Sequence, residues 1–234
     1  MTVGIAAFAD NSKKLIIASD QMITSTVGGS PLGGGITYQW QSTDIHKIFP
    51  LPRGTGAILM AGNESYARTI INTSIRSIET KKAEEIEAIV EIVREEYANF
   101  RLINFVQSVL VPRGIQNFSA YYELHARLAN DLRTFIDTTL GNWSGCCDLI
   151  VAGKDRAGTF SLYSISNPGI ANNHDLNGYV CIGTGGPHAM YHIIGAGYKK
   201  GMPEPEVKKI LEEAKKKSEV APGVGSFTDC RTIS

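Results

Sequence analysis

The chain opens with two short apolar segments, residues 3–8 (Val-Gly-Ile-Ala-Ala-Phe) and 14–19 (Lys-Leu-Ile-Ile-Ala-Ser), separated by Asp10-Asn11-Ser12-Lys13. Apolar, partly β-branched runs joined by turn residues read as a β-hairpin. This hairpin constrains the rest most, because its register decides what faces the residue in front of it. With a loop centred on Asn11, Thr2 stands opposite Asp20. A two-residue loop moves the pairing by one and makes the carboxylate a neighbour on the other face. Both registers remain open on sequence alone.

Thr2 matters because a small residue in second position permits removal of Met1. The exposed threonine would then carry a free α-amine beside its hydroxyl, so that one residue supplies both nucleophile and base. An α-amine has a reference pKa of about 7.7–8.0, which leaves a useful unprotonated fraction near neutrality.

Beyond the hairpin the pattern alternates. Residues 21–44 are irregular, with a glycine-rich centre from Gly28 to Gly35. Without a following Gly-Lys-Ser/Thr this centre is a loop or irregular hairpin and not a phosphate cradle. Strands are expected at 45–49 and 55–61. Helices follow at about 64–79, 83–110 and 119–140, the last with a stripe of Tyr122, Leu124, Leu128, Leu132, Phe135 and Ile136. Strands return at 147–151, 159–165 and 178–182. Gly183-Thr184-Gly185-Gly186 then opens a helix to about Tyr198. Another helix spans 203–220, where Lys215-Lys216-Lys217 suits the negative end of its dipole, and a last strand covers 227–233. The order strands, helices, strands, helices, strand predicts an α+β fold: two sheets packed face to face with helices outside, in one domain over 1–234.

Charge narrows the function classes. With 23 basic and 23 acidic residues, the chain lacks the electrostatic footprint of a nucleic-acid or anionic-membrane binder. No apolar run is long enough to span a bilayer and no leader pattern precedes the hairpin, so a cytoplasmic protein is expected. The four cysteines, Cys146, Cys147, Cys181 and Cys230, lack zinc-site spacing and read as buried free thiols. His188 and His192 share a helix face without the glutamate of a zinc-peptidase motif, so no metal and no cofactor is expected.

Taken in order, Thr2-Val3-Gly4-Ile5, Ala18-Ser19-Asp20, His46-Lys47-Ile48, Met60-Ala61-Gly62 and Ile182-Gly183-Thr184-Gly185 resemble the landmarks of proteasome β-subunits and related bacterial proteasome-like peptidases. These are N-terminal nucleophile hydrolases. The resemblance covers nearly the whole chain. It implies a four-layer αββα sandwich, Thr2 as nucleophile, and Asp20 and Lys47 as the charged pair beside it. It further implies Gly62 as the backbone donor to an oxyanion and Thr184 in place of a serine near the nucleophile. An ammonium near the hydroxyl favours its alkoxide-like form, and a carboxylate positions that ammonium and offsets its burial. Implied partners are a peptide or amide substrate and other copies of the chain, in a ring or spiral.

The sequence also departs from the family. Near the C-terminus the family has an aspartate, and a serine three residues on, assisting the threonine amine. Here Glu219 stands near the first position and Ala221 or Pro222 at the second. The connection from Asp20 to Lys47 and the helical region of about 83–140 are enlarged. A second reading is therefore an inactive scaffold of the same fold. A nucleotide-binding module using Gly183-Thr184-Gly185-Gly186 or Gly223-Val224-Gly225 is a third and weaker one, because neither gives the G-x-G-x-x-G spacing.

Overall fold

A computed structural model of the chain describes residues 2–27, 36–143 and 147–234, with only the backbone for 25–27 and 36–37. Met1, the glycine-rich centre and Cys146 lie outside the described residues. The protein is a mixed α and β structure with two antiparallel sheets and a separate ribbon.

The first sheet contains β1 (Gly4–Ala9), β2 (Lys14–Asp20), β10 (Tyr179–Ile182) and β11 (Thr228–Ile233), in the order β10-β1-β2-β11. The second contains β5 (Ile48–Pro50), β6 (Gly56–Gly62), β7 (Cys147–Lys154), β8 (Phe160–Ser166) and β9 (Ile170–Asn173), in sequence order. The ribbon pairs β3 (Met22–Val27) with β4 (Ile36–Gln41). In the opening hairpin Gly4 faces Ser19 and Ala9 faces Lys14. This is the shifted register of the two considered above: a four-residue connection places Val3, not Thr2, across from Asp20.

Side-chain alternation divides each strand between two cores. In β1 and β2, Ala6, Phe8, Leu15 and Ile17 meet Leu59, Ile150, Ala152 and Leu162 of the other sheet. The opposite face of the hairpin, Ile5, Ala7, Ile16 and Ala18, is covered by α5 (Gly186–Gly195) and α6 (Glu204–Ser218). On the second sheet Ile58, Leu149 and Val151 pack beneath α1 (Glu64–Lys81) and α2 (Ile86–Phe105). Fully burying one such aliphatic side chain contributes about 1.5–3 kcal/mol.

Helix boundaries follow local chemistry. Asn63 caps α1, its side chain accepting from Tyr66 N at 3.1 Å. The long second helix passes through a π-helical turn at Val106–Leu110 and ends in a 3-10 turn before Gly114, which adopts φ +75°. The stretch expected as one helix over 119–140 is two: α3 (Phe118–Leu124), and α4 (Asn130–Asn142) beyond an extended Leu128. Its stripe also differs from expectation. Tyr121 and Ile136 are buried with Phe105 and Leu110 in a small separate core, whereas Tyr122 and Phe135 are exposed. Strand β9 was not expected, being four residues long and almost wholly exposed. The strand expected at 45–49 is only β5, so Lys47 lies just outside it. No helix among the described residues is long and apolar enough to cross a membrane.

Candidate active site

The first sheet ends where Thr2, Asp20 and Gly183 come together. Asp20 closes β2, and its side chain is fully buried, a costly place for a carboxylate unless hydrogen bonds replace water. Five donors do so. Oδ1 accepts from Thr2 Oγ1 at 2.5 Å, Val3 N at 3.0 Å and Lys47 Nζ at 2.9 Å. Oδ2 accepts from Met22 N at 3.2 Å and Gly225 N at 3.1 Å. The shifted register thus still delivers the carboxylate to Thr2, through its reach along the strand end and not by direct pairing.

Lys47 precedes β5 on the second sheet, and its ammonium crosses to the first, where it also donates to Thr2 Oγ1. Its side chain is 4% exposed. Burial holds the Lys47 pKa below its ordinary value, against the opposing pull of Asp20. The ammonium beside Thr2 Oγ1 is placed to stabilise negative charge on that oxygen.

The strand-to-helix turn after β10 carries Thr184. Its Oγ1 accepts from Thr2 N at 3.3 Å and lies 3.4 Å from both Thr2 O and Pro222 O, two alternative acceptors for its own proton. Gly185 N donates to Thr2 O at 3.1 Å. Gly183 has φ +83°, and a Cβ there would stand 2.3 Å from Thr2 O, so only glycine fits. Gly62, at the end of β6, has φ +96° and is exposed. It shares a small cleft with Lys47, Met22, Ile23 and Thr24. The structure therefore brings Thr2, Asp20, Lys47 and Thr184 into one hydrogen-bonded group and sets Gly62 in the cleft beside Lys47.

One position differs from expectation. Glu219 turns to Lys215 and not to the Thr2 amine: its Oε1 accepts from Lys215 Nζ at 2.8 Å. Lys215, in the last turn of α6, is itself fully buried. Sequence reading also missed Met22 N and Gly225 N as the donors that fix Asp20. The pair Gly223-Val224-Gly225 was the available signal, since a Cβ on Gly225 would come 2.6 Å from Met22 Cβ.

A second cleft opens on the other side of Gly183. It is an open space of about 660 Å³, solvent at its mouth included, between β7 and β8 of one sheet and β10 of the other. Asp148, Ser164, Ser166, His174 and Cys181 contribute its polar lining. Ser164 Oγ and His174 Nε2 are 2.8 Å apart. Burial raises the Asp148 pKa, lowers that of His174 and pushes the Cys181 thiol up to about 12. Among the described residues no group of three or more His, Cys, Asp or Glu side chains is placed to hold a metal ion. No protein-family model matches the chain, and no curated protein matches it in sequence.

Proposed function

We propose that the chain is an N-terminal threonine hydrolase of the proteasome-like kind, cleaving peptide or other amide bonds once Met1 has been removed. The observation that carries this reading is the buried Lys47 ammonium donating to Thr2 Oγ1 with Asp20 bridging both. A threonine that served only packing would not require a buried lysine, whose desolvation costs several kcal/mol, at its hydroxyl. The three stacked cores, helices on sheet on sheet on helices, support the αββα sandwich of N-terminal nucleophile hydrolases.

In this reading Thr2 Oγ attacks the substrate carbonyl carbon. The hydroxyl proton passes to the freed α-amine, which Thr184 Oγ1 holds in place, or to Lys47. Gly62 N–H faces the oxyanion that forms; one such donor lowers the barrier by about 2.7–4 kcal/mol. The C–N bond breaks as the proton is returned to the leaving nitrogen. Water then attacks the Thr2 ester, regenerating the hydroxyl and releasing the acid. Assembly into a ring or spiral and a cytoplasmic location belong to the same proposal.

The test is intact mass with a β-lactone probe. The reading predicts loss of one methionine and a single adduct, absent in Thr2→Ala. A full-length, unlabelled protein would instead favour an inactive scaffold of the same fold. That second reading has its own support: Thr2 is 1% exposed, Glu219 is engaged by Lys215, and Ala221-Pro222 replaces the expected serine.

A further inference from the structure

The cleft lined by Asp148 has no part in the chemistry above. We infer that it is a subsite for a basic side chain of the substrate, with Asp148 as counter-ion. This rests on the reading of Thr2 as the attacking residue.

Position is the first argument. Gly183 lines the cleft, and a Cβ on it would lie 2.3 Å from Thr2 O and 3.1 Å from Ala61 Cβ. Asp148 is the strand partner of Ala61, and Cys147 the partner of Gly62. One strand spacing, about 4.8 Å, therefore separates the backbone at Gly62 from the start of β7. The two clefts are linked through paired residues: Ala61 lines the first, and its strand partner Asp148 lines the second. A chain whose carbonyl reached Thr2 would extend a neighbouring side chain into the second.

Charge is the second. Asp148 carries the only formal charge among the residues lining this cleft. His174 is kept neutral near pH 7 by burial, and the Cys181 thiol stays protonated. No hydrogen bond or ion pair holds the Asp148 carboxylate among the described residues, in contrast to Asp175 two strands away, which accepts from Leu162 N at 2.7 Å and Asn173 Nδ2 at 2.9 Å. A half-buried carboxylate without a donor is costly, and an incoming cation offsets that cost.

Donor number is the third. A lysine ammonium has three protons to place. Asp148, Ser164 and Ser166 offer three acceptor groups, the two serines sharing one face of β8 at alternate positions. When Ser164 donates to His174 Nε2, its lone pairs remain for the ligand. Arginine would use the same oxygens.

The test uses Thr2→Ala protein, which binds without turnover, and fluorescent peptides that differ only in carrying lysine, arginine, norleucine or glutamate at one position, scanned along the peptide. At one position, lysine and arginine are expected to bind at least about tenfold more tightly than norleucine, and glutamate more weakly. Adding Asp148→Asn is expected to abolish that preference while leaving the norleucine affinity unchanged; its melting temperature confirms folding. Equal binding of lysine and norleucine throughout, a preference that survives Asp148→Asn, or no peptide binding at all overturns the subsite. Probe labelling of Thr2 reports separately: a labelled enzyme without the preference loses only the subsite, and a preference without labelling loses only the hydrolase.

Discussion

Two carboxylates face the crevice between the sheets, and they are treated in opposite ways. Asp20 is wholly buried and receives five donors from four separate parts of the chain. Asp148 is half-buried and receives none among the described residues. The first arrangement fixes geometry: any movement of Asp20 must break several hydrogen bonds at once, so Thr2 and Lys47 are held in place. The second stores an unmet demand, which the native fold tolerates only because solvent still reaches the group. A carboxylate already satisfied positions its neighbours, and one left unsatisfied is available to a ligand.

The contrast can be broken most severely at Asp20. Asp20→Ala leaves the Lys47 ammonium buried without its counter-charge and the backbone N–H groups of Val3, Met22 and Gly225 unpaired. Urea unfolding should show a loss of about 3–5 kcal/mol. A loss below about 1 kcal/mol would mean that the shell around Asp20 does not hold the site. Gly183, between the two carboxylates, comes next. Gly183→Ala forces a side chain onto Thr2 O in a backbone region that favours glycine, and about 2–3 kcal/mol of destabilisation is expected by the same measurement.

The smallest effect, with the opposite sign, belongs to Asp148. Its folded pKa lies above the unfolded one, so the folded state binds the proton more tightly. Stability from this group is fully present below the ordinary carboxylate pKa and is lost as pH rises through the raised value. Asp148→Asn should therefore raise stability at pH 7, by less than about 1 kcal/mol, and the gain should vanish in acid. Destabilisation at pH 7 would mean that the carboxylate already has a partner.

Much of this was legible in residue order. The opening hairpin, the helices after Gly62 and the Gly183 turn follow from apolar runs between turn residues. Thr2, Asp20, Lys47 and Thr184 were expected near one another from the order of short motifs, and the structure joins them by hydrogen bonds. What could not be read was anything that depends on register or on distant backbone. The pairing of Val3 with Asp20 turns on one residue in the connection, and the glycines around Val224 mark a close approach without telling that Gly225 N meets Asp20. The helical region misled for a different reason. Tyr121 and Tyr122 are chemically alike, and which of them faces inward depends on the break at Leu128. Asp148 and His174 gave no signal, because two single polar residues on separate strands meet only after both strands are paired.

The hydrogen bond from Gly225 N to Asp20 spans 205 positions. During synthesis the first hairpin leaves the ribosome long before its carboxylate can be fully satisfied. The shell around Asp20 is completed only when the residues near the C-terminus have emerged. A nascent chain thus carries this carboxylate with one of its donors still missing.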